Sequence, residues 1–377
     1  MSSSAKLLRA LAAALVIGVG VAACGGGGGG GSDDDSPVNT KLSCKEQFNP
    51  DKAAAGDDCV PTYNAFCPAP ETGVITNDTT ITACTGVTVS SGTVSYIDGD
   101  TTVTSDYTVL TPSSGGHKGL IVALHWSNGT GVSMVDHMRM SELAQGRDVT
   151  VVLPTAPGSF PFRTWGTSVI IPTTTLAQRT GILDALIAQV QGNTAKAAKA
   201  NAISANVFVV GVSGGAVMAF EYACQRSDAI SGAMFVAAEI TPGDLSGCTP
   251  TAPVATVQVH GTGDIVGWYA PVPLLSAGVE ETFANLYTHN GCVAADVKSA
   301  EMAPGANDLP AVTGIKVEWA TPCSSGKGNA LVTVEGGGHN WPGFVSGTDL
   351  GVNLFGVYSD GFDATLQGYD LLRFVAN

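Results

Sequence analysis

A chain of 377 residues that is 44% hydrophobic and only 13% charged can bury a full core, which excludes native disorder and points to one large domain with additions. Asp and Glu outnumber Lys and Arg 32 to 17, and the resulting net charge of -15 disfavours nucleic acid and anionic membrane surfaces as electrostatic partners. A neutral substrate suits it better, although excess carboxylates also keep a secreted protein soluble.

Residues 1–24 read as an export signal, with Lys6 and Arg9 ahead of the apolar run Leu11 to Val21 and small residues leading to Cys24. The run is too short to span a bilayer. Its end, Val21-Ala22-Ala23-Cys24, resembles the bacterial lipobox, which implies that Cys24 is lipidated and heads the mature chain; ordinary cleavage and release is the alternative. Seven glycines and Ser32-Asp33-Asp34-Asp35 follow, so residues 25–40 are expected to form a hydrated tether that holds a domain clear of a membrane. The protein is therefore expected in the cell envelope or outside the cell, touching membrane only through its anchor.

Nine cysteines are present, and the eight beyond Cys24 are compatible with four disulfides in an oxidising compartment. Cys44, Cys59, Cys67 and Cys84 fall in residues 41–92, a Cys-, Pro-, Thr- and Gly-rich stretch without helical periodicity, expected to be a small disulfide-held segment with three connectivities open. Further on, local pairing predicts Cys224–Cys248 and Cys292–Cys323. No Cys or His spacing matches a zinc site.

From about Thr93 to residue 377 the texture changes to strands alternating with helices, the pattern of an α/β domain with a mostly parallel sheet covered on both faces. Val103 to Leu110 alternates like an edge strand. Leu120 to Leu124 and Val149 to Leu153 are continuous apolar runs of the buried parallel kind, and similar runs follow at Val207 to Val212, Ala233 to Ala237, Val254 to Val259, Ile315 to Trp319 and Leu331 to Val334. Helical spacing predicts helices over Leu176 to Val190, Gly214 to Arg226, Val279 to Asn290 and Ala364 to Val375.

Gly211-Val212-Ser213-Gly214-Gly215 matches the G-x-S-x-G elbow, in which a sharp strand-to-helix turn lifts a serine above the sheet. In a chain with 48 glycines the pattern arises by chance roughly 0.5 times, so its context decides: a buried-strand run precedes it and a helical stretch follows. A serine hydroxyl needs a base to take its proton and an acid to orient the base. His339, in the loop Gly336-Gly337-Gly338-His339-Asn340, stands where the base belongs, whereas His289 falls in a helix and reads as a surface histidine. Asp264, in His260-Gly261-Thr262-Gly263-Asp264 after a strand, is the acid; Glu239 is its rival, and His260 reads as a buried turn residue. The oxyanion donors are expected to be the backbone N–H of Gly214 and that of Ser127, or else Trp126, in the early loop Leu124-His125-Trp126-Ser127. Such a site supplies nucleophile, base and oxyanion donors unaided, so no metal or organic cofactor is implied.

Taken together, these motifs resemble the bacterial poly(3-hydroxybutyrate) depolymerase family, which is similar to the secreted feruloyl and acetyl-xylan esterases. The resemblance covers roughly residues 95–375 and rests on Ala123-Leu124-His125, the elbow at Ser213, the His-Gly-Thr-x-Asp turn at Asp264 and Glu335 to Gly343, "E-G-G-G-H-x-W-P-G". Asn290-Gly291-Cys292 and Cys323 resemble the family's paired cysteines. The resemblance implies the α/β-hydrolase fold and an ester or polyester substrate. Where family members continue with His-Gly-Cys, this chain has His125-Trp126-Ser127, which places a bulky ring near the acyl site. In a feruloyl or acetyl-xylan esterase an aromatic ester would stack on Trp126 or Trp341, the expected substrate-binding residues.

Three readings follow: an esterase of hydroxyalkanoate oligomers or polymer, a feruloyl or acetyl-xylan esterase, and a catalytically silent binding lipoprotein. The intact Ser-Asp-His order opposes the last.

Overall fold

The computed structural model describes residues 83–116, 118–166, 172–197, 206–305, 308–343 and 355–377. The expected export signal with Cys24, the tether, and Cys44, Cys59 and Cys67 lie outside the described residues. Cys84, within them, is disulfide-bonded.

Ten strands make one sheet: β1 (Val87–Asp98), β2 (Thr101–Pro112), β3 (Leu120–Leu124), β4 (Thr150–Pro154), β5 (Val207–Val212), β6 (Gly232–Val236), β7 (Ala255–Gly261), β8 (Val297–Met302), β9 (Gly314–Ala320) and β10 (Asn329–Glu335). Their order is β1-β2-β4-β3-β5-β6-β7-β10-β9-β8. The centre, from β4 to β10, is parallel, and antiparallel pairs close both edges. The helices are α1 (Ser133–His137), α2 (Met140–Arg147), α3 (Leu176–Ala197), α4 (Gly214–Gln225), α5 (Pro242–Gly247), α6 (Val279–His289) and α7 (Leu366–Ala376). This is the α/β-hydrolase fold.

Successive strand residues point to opposite faces, which explains the continuous apolar runs. Leu120, Val122 and Leu124 of β3 join a core with α3 and α4, while Ile121 and Ala123 join another with α1, α2 and α7. Arg147 clasps α7 to α2 through a bidentate pair with Asp370, at 2.7 Å from Nε and 2.6 Å from Nη2. Both predicted pairs of the domain form, Cys224–Cys248 and Cys292–Cys323. The first ties the end of α4 to the segment after α5, and closing a loop of that length is worth about 3 kcal/mol.

Two expectations shift. Strand β1 starts at Val87, within the stretch read as a disulfide-held segment, and, rather than β2, forms the sheet edge. Most of β1 faces solvent, with Val94 its one buried residue, so it lacks the alternation that marks a strand. Edge strand β8 was hidden for the same reason, with no fully buried residue. The short helices α1, α2 and α5 add to the expected set.

Glu221 of α4 lies beside Asp244 of α5 and Arg179 of α3. Burial, then the charge and side-chain hydrogen bond of Asp244, push the Glu221 carboxyl up to about 7 against the pull of Arg179. A carboxyl raised in the folded state contributes stability that is complete below its unfolded value and lost as pH rises through the folded one. Glu221→Gln is therefore expected to gain on the parent between about pH 5 and pH 8, by about 1–2 kcal/mol after allowance for its partial exposure. Urea midpoints at both pH values check this; an equal difference at the two would contradict it.

Candidate active site

Strand β5 ends at Val212, and Ser213 makes the turn into α4 with φ 54 and ψ -122, a conformation that side-chain-bearing residues seldom adopt. The strain is held by packing. Gly215 lies so close to β3 that a Cβ there would overlap the Leu124 carbonyl and come within 2.6 Å of the His125 carbonyl oxygen. The glycine after the serine thus brings the start of α4 against the end of β3.

His339 stands on the loop after β10. Its Nε2 is 2.9 Å from the Ser213 hydroxyl and its Nδ1 is 2.7 Å from Asp264 Oδ2, one imidazole joining the two. Ser213 is partly exposed, whereas the Asp264 side chain is wholly buried. The glycines before His339 let its loop pass between two backbones: Gly263 N–H donates to Gly337 O at 2.8 Å, and a Cβ on Gly338 would overlap the Phe355 carbonyl. Phe355 also stacks on the His339 ring, 6.4 Å between centroids.

Asp264 is saturated with donors. Its Oδ1 accepts the N–H groups of Val266 and Gly267, each at 2.8 Å, and its Oδ2 faces His339 and, at 3.1 Å, His260 Nε2. Burial pushes this carboxyl up, but the hydrogen bonds and charges of His260 and His339 outweigh it and hold the group well below the usual carboxylate range. It is ionised at physiological pH. Glu239 is buried near Gly267, but His339 Nδ1 is directed at Asp264, so Asp264 occupies the acid position. His289 is exposed at the end of α6, as expected.

The loop after β3 is fixed by a buried imidazole. His125 Nδ1 lies 2.6 Å from the Trp126 carbonyl and its Nε2 accepts the Ala156 N–H at 2.9 Å, so the proton is on Nδ1. Burial, helped by the Arg163 charge, lowers this histidine to about 4, and it is neutral at physiological pH. The Trp126 carbonyl also accepts the Gly129 N–H at 2.9 Å. In that planar trans peptide the Ser127 N–H points the opposite way from the pinned carbonyl. The Ser127 hydroxyl is occupied by Thr164 Oγ1 at 2.8 Å, which leaves the backbone as its useful donor. Gly214 is the first residue of α4, where an N–H has no partner within the helix and meets the positive end of the helix dipole.

The two tryptophans separate. Trp126 is half-buried, stacked on His137 with centroids 5.7 Å apart and packed over Gly129. Trp341 corrects the expectation of a stacking platform: it is 3% exposed, lies in the core beside α7, and donates its indole N–H to Thr365 Oγ1 at 2.9 Å. Thr365 passes its own proton to the Met138 carbonyl at 2.7 Å. Only Asn340 separates Trp341 from His339 in sequence, and the turn sends them to different places. Trp341→Phe is expected to cost about 1–3 kcal/mol in urea unfolding, through the lost indole hydrogen bond to Thr365 and the lost volume, with KM for small esters within about twofold of the parent. A large rise in KM at unchanged stability would return Trp341 to the substrate site.

Among the described residues no group of three or more His, Cys, Asp or Glu is placed to hold a metal ion, and no helix is long and apolar enough to cross a membrane.

No family model matches the chain. Its sequence is similar to NocK of Nocardia uniformis subsp. tsuyamanensis, named as a candidate esterase, with 27% identity over 154 residues, 37% of this chain and 43% of that protein. The chain thus matches less than half of that relative's length. Among solved structures it is similar to an acetyl xylan esterase from Aspergillus awamori, with a TM-score of 0.45 and 13% identity over 75% of this chain and 99% of that one. A bacterial heroin esterase gives a TM-score of 0.35 at 14% identity, over 47% of this chain and 66% of that one. A ferulic acid esterase also gives 0.35, at 12% identity over 54% and 85%.

Proposed function

We propose that the protein is an exported, lipid-anchored serine esterase that hydrolyses hydroxyalkanoate esters, poly(3-hydroxybutyrate) or its oligomers, through an acyl-enzyme on Ser213. The observation that carries this reading is the His339 imidazole bridging Ser213 and Asp264 at the tip of a strained elbow.

In the first half of the reaction His339 Nε2 takes the Ser213 proton as Oγ attacks the ester carbonyl. The developing oxyanion is assigned to the N–H groups of Gly214 and Ser127, donors of the kind that stabilise such charge. Collapse of the tetrahedral intermediate expels the alcohol, which takes its proton from His339. Water then repeats the sequence on the acyl-enzyme and releases the acid. Asp264 fixes the Nδ1–H tautomer and stabilises the transient imidazolium without taking its proton.

A hydroxyalkanoate substrate follows from the resemblance of the acid turn and the Glu335 to Gly343 segment, and a neutral polyester fits a chain of net charge -15. The disulfides Cys224–Cys248 and Cys292–Cys323 support an oxidising compartment, and the lipobox-like Cys24 supports the anchor.

The test is a panel of p-nitrophenyl butyrate, 3-hydroxybutyrate oligomers, methyl ferulate and acetylated xylan, beside labelling by a fluorophosphonate. Labelling at Ser213 with fastest turnover of the oligomers is expected. Preference for methyl ferulate or acetylated xylan moves the protein to the plant-cell-wall esterases, and absence of both labelling and turnover moves it to the silent binding proteins.

A further inference from the structure

The acid of the site is held by two imidazoles, and only one belongs to the proton relay. His260, the sixth residue of β7, is 1% exposed and its side chain is wholly buried. Its Nε2 lies 2.5 Å from the Gly267 carbonyl oxygen and 3.1 Å from Asp264 Oδ2. Both neighbours are acceptors, so Nε2 carries a proton and shares it between them. Asp264 Oδ2 is the same oxygen that meets His339 Nδ1.

Gly267 closes the circuit. Its N–H is given to Asp264 Oδ1 and its carbonyl is held by His260, so both ends of this residue are fixed around the carboxylate. A Cβ on Gly267 would sit 3.5 Å from His339 Cε1, which puts the same residue against the base. Removing the His260 donor therefore frees the carboxylate and the backbone beside the imidazole together.

The opposite edge of the ring speaks against a purely packing role. His260 Nδ1 is buried without a hydrogen-bond partner among the described residues, an arrangement that costs stability and that an apolar side chain would avoid. Tyr269 meets the ring edge-on at 6.0 Å, its hydroxyl turned to Thr333 at 3.0 Å.

We propose that His260 is a positioning residue for ester hydrolysis, holding Asp264 and Gly267 in register so that His339 stays aligned on Ser213. The assignment rests on the serine-esterase reading above.

The test compares His260→Leu and His260→Gln with the parent in kcat, KM and the pH profile for p-nitrophenyl butyrate, after fluorophosphonate labelling of the parent. H260L is expected to lose about 10–100-fold in kcat, because small misplacements of reacting groups are enough for that, with KM within about twofold. Its thermal midpoint is expected to fall only modestly, because the Gly267 carbonyl and Asp264 Oδ2 lose a buried donor while the unpartnered Nδ1 is removed. With one donor gone, Oδ2 directs more negative charge at His339, so the acid limb of kcat/KM moves up, by at most about one pH unit. H260Q, whose side-chain amide can donate from near the Nε2 position, is expected to recover most of the rate and the parent limb.

Parent-like kcat and acid limb in H260L overturn the assignment, as does a loss of kcat with an unmoved limb that glutamine does not rescue. Should H260L fail to fold, His260→Met carries the same comparison. A parent that neither labels nor hydrolyses the ester overturns the esterase reading and this assignment with it, whereas an active parent with an indifferent H260L overturns this assignment alone.

Discussion

On the serine-esterase reading, replacing Ser213 by alanine is expected to lower kcat for p-nitrophenyl butyrate by about 10⁶-fold and to leave the fold in place. The loss is that large because the hydroxyl is the atom that attacks; without it His339 and Asp264 have no proton to move. Turnover does not fall to the rate in water, since donors such as the Gly214 and Ser127 N–H groups still polarise the carbonyl, and comparable sites keep roughly 10³-fold over the uncatalysed reaction. Stability is a separate matter. Alanine keeps the Cβ and with it the unfavourable φ of 54, so the strain at the elbow is unchanged. The hydroxyl's bond to His339 Nε2 sits at a partly exposed position, and its loss is worth about 1 kcal/mol. Steady-state kinetics beside circular dichroism and a urea melt separate the two effects. Retention of more than about a hundredth of the parent rate would place the nucleophile elsewhere.

The parts of this molecule that were legible in its sequence are those where one physical demand dominates. Strands β3, β5 and β7 are buried on both faces, so their apolar runs stand out, and the elbow and acid turn sit at the ends of such strands. The helices α3, α4, α6 and α7 each bury a stripe at helical spacing. Strands β1 and β8 follow a different demand. They form by pairing at an edge, and hydrogen bonds between backbones leave no mark on side-chain identity.

The same division runs through the site. Ser213, Asp264 and His339 come together because each follows a strand at the same end of the sheet, a relation that chain order alone conveys. The work of His125 and His260 depends on which carbonyl a turn presents to a buried ring, at Trp126 in one case and Gly267 in the other, and no local pattern carries that. Trp341 fails in the opposite sense: expected to stack on an aromatic ester, it is carried into the core, where the Ala364 N–H donates to the Pro342 carbonyl.

Gly215→Ala is expected to lower stability by more than about 3 kcal/mol and to abolish hydrolysis together. The added carbon would overlap the Leu124 carbonyl and lie 2.6 Å from the His125 carbonyl oxygen, both backbone atoms with no rotamer to escape into. Strand β3 cannot retreat, because it is laddered to β4 on one side and β5 on the other, with Leu124 in register with Gly211. The remaining movement is a withdrawal of α4, which carries the Gly214 N–H and the Ser213 hydroxyl away from His339 and the Ser127 loop; about 1 Å is enough to lose two orders of magnitude in rate. Gly146→Ala supplies the control. That glycine lies in α2 with open space around its Cα, so alanine there is expected to add about 0.5–1 kcal/mol through helix propensity alone. Urea midpoints and kcat for the two variants decide the matter: a G215A protein as stable and active as G146A would mean that α4 and β3 stand further apart than these contacts require, and the oxyanion donors would have to be sought in a different pair of N–H groups.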